Sequence, residues 1–215
     1  MAVVDAMRQR GVRRLIHVSS LAAREAKLSD YGWSKELAER HVKASGLDWT
    51  IVRPPAIYGP GDREMLELFR MAKRGIMLLP PCGRLSLIEV GDLARLLLTL
   101  AGEREVSLAR CYEPDDGVPG GWDHLEFGQA IGRAAGRSVR TFATPNWALS
   151  LGARLDRIVR GKGAKLTPDR VSYFCHPDWV VTQRKQPPKK LWTPKVPTEE
   201  GLKTTAAAYR KKGWL

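Results

Sequence analysis

The sequence predicts an α/β fold built on a parallel sheet, with a smaller mixed α/β part toward the C-terminus. Two apolar runs, residues 15–18 and 49–52, have the length of buried strands. A segment of helical periodicity lies between them. Strand, helix and strand joined by short connections form a βαβ unit, which requires parallel strands and a right-handed crossover.

The helix between the two strands is predicted to start near Tyr31. Ser29 or Asp30 is available as its N-cap, and Gly46 as its stop. The helical periodicity comes from Leu37, Ala38, His41, Val42 and Ser45. Residues 1–10 predict another helix, ended by Gly11, so the chain enters the alternation of strands and helices in its middle.

The remaining chain continues the alternation. Helices are predicted at about 63–74, 92–100, 122–135, 145–160 and 198–211, and extended segments at 85–90, 110–113 and 138–143. Flexible breaks are predicted at 161–163 and 186–190. The basic, proline-containing segment 184–195 is expected to be a solvated connector. Apolar residues between 65 and 79 are expected in the core rather than in a substrate pocket.

Composition favours a globular protein and excludes several other classes. Of the 215 residues, 43% are hydrophobic, and no apolar run is long enough for a bilayer span or a secretory signal, so we expect a cytoplasmic protein. Cys82, Cys111 and Cys175 are too scattered to predict disulfides or a metal site. The net charge of +13 could attract anions, but the Lys and Arg residues are spread along the chain, which favours a solvated basic surface.

Three short motifs carry the candidate chemistry. Ser19 and Ser20 end the first strand, at the sheet edge where open α/β folds bind ligands. Tyr31 and Lys35 lie one turn apart on a single helix face. A tyrosine hydroxyl has an ordinary pKa of about 10, so it needs a nearby cation such as Lys35 to act as a base at neutral pH. The sequence therefore predicts a proton-transfer site.

In order and placement, Ser20, Tyr31 and Lys35 resemble the Ser-Tyr-Lys set of the short-chain dehydrogenase/reductase superfamily. The resemblance implies that Tyr31 is the general acid/base and that Lys35 also holds the nicotinamide ribose. It implies that Ser20, preferred over Ser19, hydrogen-bonds the reacting oxygen. It also implies NAD or NADP as the cofactor.

Further segments are similar to the extended branch of that superfamily, the NAD-dependent epimerase/dehydratase family. They are residues 53–62, 88–94 and 191–215. The resemblance implies that Arg53, Pro54 and Pro55 lie beside the nicotinamide together with Ser19, Tyr31 and Lys35. It also implies a partial Rossmann-like domain at residues 1–110 and a mixed α/β substrate-binding part at 111–215, with interleaved segments.

Two departures from the family pattern lead to further expectations. The interval from Ser20 to Tyr31 is short for a sugar epimerase, which removes most of the loop that would cover a nucleotide sugar and leaves the substrate class open. No Gly-x-x-Gly-x-x-Gly turn follows a strand. Since that turn binds the cofactor pyrophosphate, we expect an N-terminally truncated chain with weak or absent NAD(P) binding.

Three functions remain open from the sequence. The leading one is an NAD(P)-dependent oxidoreductase or epimerase that acts on a small molecule at a carbon bearing a hydroxyl or carbonyl group. The second is a non-catalytic binding or assembly relative of the same fold, and the third is a binder of nucleic acid or an anionic surface. We expect no specific nucleic acid and no membrane span, and a homodimer is one option for the assembly.

Overall fold

The computed structural model describes residues 2–81, 83–103, 105–163 and 166–215. Cys82, one of the three cysteines considered above, lies outside them. The helices are α1 (Ala2–Gln9), α2 (Asp30–Lys43), α3 (Leu66–Lys73), α4 (Val90–Gly102), α5 (His124–Ala135), α6 (Asn146–Arg160), α7 (Pro168–Phe174) and α8 (Thr198–Lys211). The strands are β1 (Arg14–Val18), β2 (Asp48–Val52), β3 (Ala56–Tyr58), β4 (Ile76–Leu79), β5 (Arg84–Leu85), β6 (Leu87–Glu89), β7 (Arg110–Tyr112), β8 (Trp122–Asp123), β9 (Arg140–Ala143) and β10 (Asp178–Trp179).

The sheet that positions the candidate site is parallel and has the order β1-β2-β7. Val18 at the end of β1 lies opposite Val52, and Val52 lies opposite Tyr112 of β7. Helix α2 provides the crossover between β1 and β2. The predicted βαβ unit is therefore confirmed, and its carboxyl ends form one edge of the sheet.

Smaller sheets join the later part of the chain to its middle. Strands β3 and β6 pair in parallel, as do β4 and β9. Strand β5 pairs in parallel with β10 and antiparallel with β8. Because β10 lies near the end of the chain, this pairing brings residues 178–179 back beside residues 84–85.

The core consists of three clusters of buried apolar side chains. The largest lies among α3, α5, α8 and β4 and includes Phe69, Met77, Ile131 and Leu202. A second packs α4 against the β1-β2-β7 sheet. A third joins Leu21 and Ala22 to Trp179 and Val181. The apolar residues of 65–79 mostly lie in the first cluster, as expected, although Ile76 and Leu78 are exposed.

Local signals explain where several elements begin and end. Ser29 caps α2 through its side chain, and Gly11, Gly46 and Gly136 all have positive φ at the predicted stops. Helix α3 begins later than expected because the Asp62 carboxylate accepts hydrogen bonds from the N–H groups of Glu64 and Met65, which forms a turn. The predicted break at 161–163 is a 3₁₀ turn. No helix in the described ranges is long and apolar enough to span a membrane.

One expectation about the chain is wrong. The segment predicted to be a solvated connector is anchored at several points. Lys185 Nζ lies 3.2 Å from Glu113 Oε1, Gln186 donates to Asp115 at 3.0 Å, and the Trp192 side chain is only 5% exposed. The prolines prevent a helix, but the polar groups find buried partners and the segment lies against the molecule. Four of its basic residues, Arg184, Lys189, Lys190 and Lys195, are exposed as the composition suggested.

Candidate active site

The serine pair lies at the carboxyl end of β1, as predicted. The Ser19 N–H donates to the Val52 carbonyl at 2.7 Å, which continues the pairing of β1 with β2. Ser20 then caps a 3₁₀ helix, Leu21–Glu25, by accepting a hydrogen bond from the Ala22 N–H at 3.2 Å. No bond donated by the Ser20 hydroxyl occurs in the described part of the chain, so its proton is available to an oxygen placed beside it.

The segment after β2 lies against this serine turn. The Leu21 N–H donates to the Pro54 carbonyl at 3.0 Å, and the Arg53 N–H donates to Tyr112 at 2.8 Å. Pro54 is buried and Pro55 is half-buried. Ser20 and Pro54 are thus held side by side by the backbone. They lie at the edge of the sheet where the family resemblance predicts the nicotinamide.

Gly32 brings the helix that carries Tyr31 against the serine turn. A Cβ atom at this position would lie 2.8 Å from the Ala22 carbonyl oxygen and 3.3 Å from that of Glu25. The first turn of α2 and the 3₁₀ helix after Ser20 therefore meet backbone to backbone. Any side chain at residue 32 would push the two elements apart, so the position requires glycine because of close approach.

Tyr31 and Lys35 form the pair that the spacing predicted. The Tyr31 side chain is 49% exposed, and Lys35 Nζ lies 5.6 Å from the centroid of its ring. Lys35 makes no ion pair within the described ranges, whereas Arg40 and Lys43 of the same helix pair with Glu36 and Glu39. The ammonium thus lies over the ring of an accessible phenol, within reach of the side chain whose phenolate form a nearby cation would stabilise.

His17 belongs to β1 and lies near Lys35 of α2. Its Nε2 atom is buried and has no hydrogen-bond partner among the described residues. Burial lowers the pKa of His17, and the nearby Lys35 ammonium lowers it further, against a smaller opposing effect of Glu39. The imidazole is therefore neutral near pH 7 and does not add a second positive charge beside Lys35.

A buried charge network, which the sequence analysis did not identify, holds the sheet edge together. Glu39 of α2 is 1% exposed. It accepts hydrogen bonds from Arg53 Nε and Nη2, each at 2.7 Å, and from the Ser19 hydroxyl at 2.7 Å. Burial raises the pKa of Glu39, but the bonds from Arg53 and Ser19 outweigh it and hold that pKa below its usual value. This carboxylate is thus ionised and ties α2 to the ends of both β1 and β2.

Glu113, directly after β7, extends the network. Its carboxylate lies 3.5 Å from Arg53 Nη1 and accepts from the Thr182 N–H at 2.8 Å and from Lys185 Nζ at 3.2 Å. Burial raises the pKa of Glu113, but the hydrogen bonds from Thr182 and the positive charge of Lys185 hold it below its usual value. The sequence gives no signal for the burial of either carboxylate, because Arg53, Ser19, Thr182 and Lys185 come from other segments of the chain.

The predicted cofactor neighbours therefore divide into two groups. Tyr31 is exposed, Lys35 is half-buried and Ser20 is 8% exposed, and within the described ranges neither the Lys35 ammonium nor the Ser20 proton is engaged by an ion pair or a donated hydrogen bond. The polar side-chain atoms of Ser19 and Arg53 bind Glu39, and Arg53 is only 8% exposed. Ser19 and Arg53 are in the expected place, but the groups they could offer to a ligand are engaged inside the protein.

Residues from the last quarter of the chain lie along one side of the site. The Asp30 N–H donates to Asp169 Oδ1 at 2.9 Å. Burial and the nearby Tyr31 raise the pKa of Tyr173 to about 12, so its hydroxyl stays neutral. The Tyr173 ring packs on Trp179 with centroids 4.5 Å apart. Tyr173 and Trp179 make this side of the site aromatic.

Comparison with known proteins supports the family indicated by these residues. A family model described as NAD(P)H-binding matches residues 1–73. The ceramide reductase of Caulobacter vibrioides is 33% identical over 222 aligned residues, which cover 100% of this chain and 67% of that protein. The UDP-glucose 4-epimerase of Vibrio cholerae is 31% identical over 114 residues, which cover 41% of this chain and 34% of that protein.

Solved structures share the fold at lower identity. The UDP-glucose 4-epimerase of Thermotoga maritima, with UDP-glucose, superposes with a TM-score of 0.66 at 19% identity over 97% of this chain and 67% of its own. The corresponding enzyme of Thermus thermophilus, in complex with NAD, gives 0.59 at 21% identity over 96% and 67%. The fold, the Ser-Tyr-Lys placement and the match to the reductase over the whole of this chain point to one family. The chain belongs to the NAD-dependent epimerase/dehydratase family of the short-chain dehydrogenase/reductase superfamily.

Proposed function

We propose that this chain carries the proton-transfer groups of an NAD(P)-dependent reductase that acts at a carbon bearing a hydroxyl or carbonyl oxygen. The observation that carries the proposal is the Gly32 contact, which presses the helix bearing Tyr31 and Lys35 against the turn capped by Ser20. Three groups that the reaction needs, an acidic hydroxyl, a cation and a hydrogen-bond donor, are thereby held at one sheet edge.

The residues present fit a nicotinamide cofactor at its ribose end. Lys35 has an ammonium with no carboxylate partner in the described ranges, which suits binding to ribose hydroxyls. When bound, the cofactor supplies or accepts the hydride. Tyr31 donates a proton to the substrate oxygen during reduction and removes it during oxidation, while Lys35 stabilises the phenolate and Ser20 donates a hydrogen bond to the same oxygen.

For the substrate we propose a long-chain lipid ketone or alcohol. The match to the ceramide reductase runs the full length of this chain, whereas the match to the Vibrio epimerase covers 41% of it. The short interval between Ser20 and Tyr31 leaves little chain to cover a nucleotide sugar. The Tyr173 ring lies near Tyr31 and packs on Trp179, which is buried, so the neighbourhood of Tyr31 is aromatic and suits an apolar chain better than a phosphate.

Turnover by a purified protein that contains these 215 residues tests the proposal. Oxidation of NADH and NADPH is followed by absorbance with a long-chain keto amide and, separately, with UDP-glucose in an epimerase assay. We expect Tyr31→Phe to lower kcat by about 10²–10⁴-fold with the cofactor Kd nearly unchanged. Lys35→Met should weaken both kcat and cofactor binding.

Matched substitutions far from the site provide the controls. Tyr209→Phe removes a hydroxyl in the core beside Phe69, and Lys211→Met removes an exposed cation of α8; neither should change kcat. Full activity of Tyr31→Phe would refute the proton-transfer role. A folded wild-type protein with no turnover on either substrate would favour the non-catalytic relative of the fold.

The affinity of the chain for the dinucleotide stays a prediction. The sequence contains no Gly-x-x-Gly-x-x-Gly turn after a strand, so the 215 residues alone offer contacts mainly to the nicotinamide end. We expect titration of this chain with NADH to show weak binding by calorimetry. Micromolar binding by a folded, monodisperse sample would contradict this expectation.

A further inference from the structure

Helix α6 exposes an apolar stripe that no described part of the chain covers. Trp147, Leu151, Leu155 and Ile158 follow one another at spacings of four, four and three residues, which places them on one helix face. Their exposed fractions are 72%, 50%, 53% and 79%. Ala153, on the other side, is the buried residue of this helix. A stripe of large apolar residues that a protein exposes to water marks an interaction site.

The charge around this stripe is strongly positive. Helix α6 contains three basic residues, Arg154, Arg157 and Arg160, and one acidic residue, Asp156. Asp156 pairs with Arg160 at 3.1 Å and accepts a bond from the Leu166 N–H. Arg154 and Arg157 are exposed and form no ion pair with any described residue. A partner that binds the stripe must therefore accommodate or attract a cluster of cations.

Further large apolar side chains are exposed on the strand pair β4 and β9, which the chain leaves just before α6. Phe142 of β9 is 50% exposed, and its register partner Leu78 of β4 is 55% exposed. Ile76, on the same face of β4, is 52% exposed. The chain passes from β9 to α6 through Pro145, so the exposed residues follow one another along the sequence. The surface offered is larger than one helix stripe.

We propose that α6 docks on an anionic lipid bilayer, with the stripe entering the boundary between headgroups and acyl chains. An amphipathic helix with Trp and Leu on one face and arginines beside it is the composition that binds in the plane of an anionic membrane. A second copy of this chain would bring its own three arginines of α6 against those of the first, and a nucleic acid would leave the apolar stripe exposed to water. This inference is independent of the proposed catalytic function, because binding is measured without turnover.

Vesicle binding by the full chain tests the inference. The protein is sedimented with phosphatidylcholine vesicles that either contain or lack phosphatidylglycerol, and the bound fraction is measured at low and high salt. We expect binding to the anionic vesicles alone, weakened by salt. Leu151→Glu combined with Leu155→Glu should reduce that binding on the order of tenfold or more, since it places carboxylates at the boundary.

Two matched controls separate the helix from general surface effects. Leu98 of α4 is 76% exposed and isolated, so Leu98→Glu should leave vesicle binding unchanged. Arg154→Gln with Arg157→Gln should weaken binding more than Lys189→Gln with Lys190→Gln, which removes the same charge elsewhere. Circular dichroism and melting temperature confirm that each variant is folded.

Three results would overturn the inference. They are no binding of the wild-type chain to anionic vesicles, equal loss in the Leu98→Glu control, and dimers in light scattering that Leu151→Glu abolishes while vesicle binding persists. Tighter binding to an oligonucleotide than to vesicles, lost in the arginine variant, would replace the lipid with a nucleic acid.

Discussion

Helices α2 and α6 are nearly equal in length, 14 and 15 residues, yet the protein uses them in opposite ways. Helix α2 buries a carboxylate, Glu39, and satisfies it with Arg53 and Ser19 from two other segments. Helix α6 buries Ala153 and exposes five large apolar side chains, those of Trp147, Leu151, Leu155, Ile158 and Val159. The position of α2 is thus fixed by polar partners within the chain, whereas the apolar face of α6 has no partner in the described part of the chain.

The largest expected effect on stability comes from breaking the charge network beneath α2. Arg53→Met leaves Glu39 and Glu113 buried without their shared cation, which should cost about 3–5 kcal/mol of unfolding free energy. The matched change on α6, Arg154→Met, removes an exposed cation and should change stability by less than about 0.5 kcal/mol. Urea denaturation measures both. Equal effects would show that the network contributes nothing special to the fold.

A glycine in each helix gives the next largest contrast. Gly32→Ala forces a Cβ to within 2.8 Å of the Ala22 carbonyl oxygen and should cost about 1–3 kcal/mol. It should also lower kcat, because α2 and Tyr31 must move away from Ser20. Gly152→Ala in α6 meets only Leu166 Cδ2 at 3.6 Å, so the better helix propensity of Ala should stabilise by about 0.5–1 kcal/mol. Gly32→Ala with wild-type kcat and stability would remove the structural basis of the proposed site.

The residues that could be predicted from sequence are those whose role depends on local spacing. Ser20, Tyr31 and Lys35 occupy the expected turn and helix face, and the strands β1 and β2 and helix α2 follow from periodicity and caps. These features depend on neighbours within about one helical turn, so a single stretch of sequence contains the information.

Features that depend on distant partners could not be predicted. Glu39 is buried because Arg53 and Ser19 meet it, and Glu113 because Thr182 and Lys185 return from the end of the chain. Strand β4 reads as a continuous apolar segment, although alternate residues are exposed on the face beside β9. Helix α7 was missed for a different reason, since seven residues are too few for a helical period to stand out.

Acid should affect the α2 network before it affects α6. The pKa values of Glu39 and Glu113 are lower in the folded protein than their ordinary value, so both carboxylates stabilise the fold above about pH 4.5. That stabilisation is lost as the pH falls through the lowered folded pKa values. Urea denaturation at successive pH values should show a steep loss of stability in acid for the wild type and for Arg154→Met. The slope should be flatter for Arg53→Met, and an identical slope would mean that Arg53 does not hold these pKa values down.

The smallest expected effect concerns the other basic segment, residues 184–195. It tests whether this segment differs from α6 because its cations are anchored to buried partners. Lys185 contacts Glu113, which is fully buried, so Lys185→Met should cost about 1 kcal/mol even though the apolar stem is kept. Lys189→Gln with Lys190→Gln removes two exposed charges without described partners and should leave the melting temperature unchanged within about 1 °C. Thermal melts at low ionic strength compare the two, and high salt should reduce the cost of Lys185→Met only slightly because Glu113 is shielded from solvent. If Lys185→Met proved as silent as the double substitution, the segment would be held by its backbone and by Trp192 alone. Its basic residues would then be a solvated surface, as the sequence first suggested.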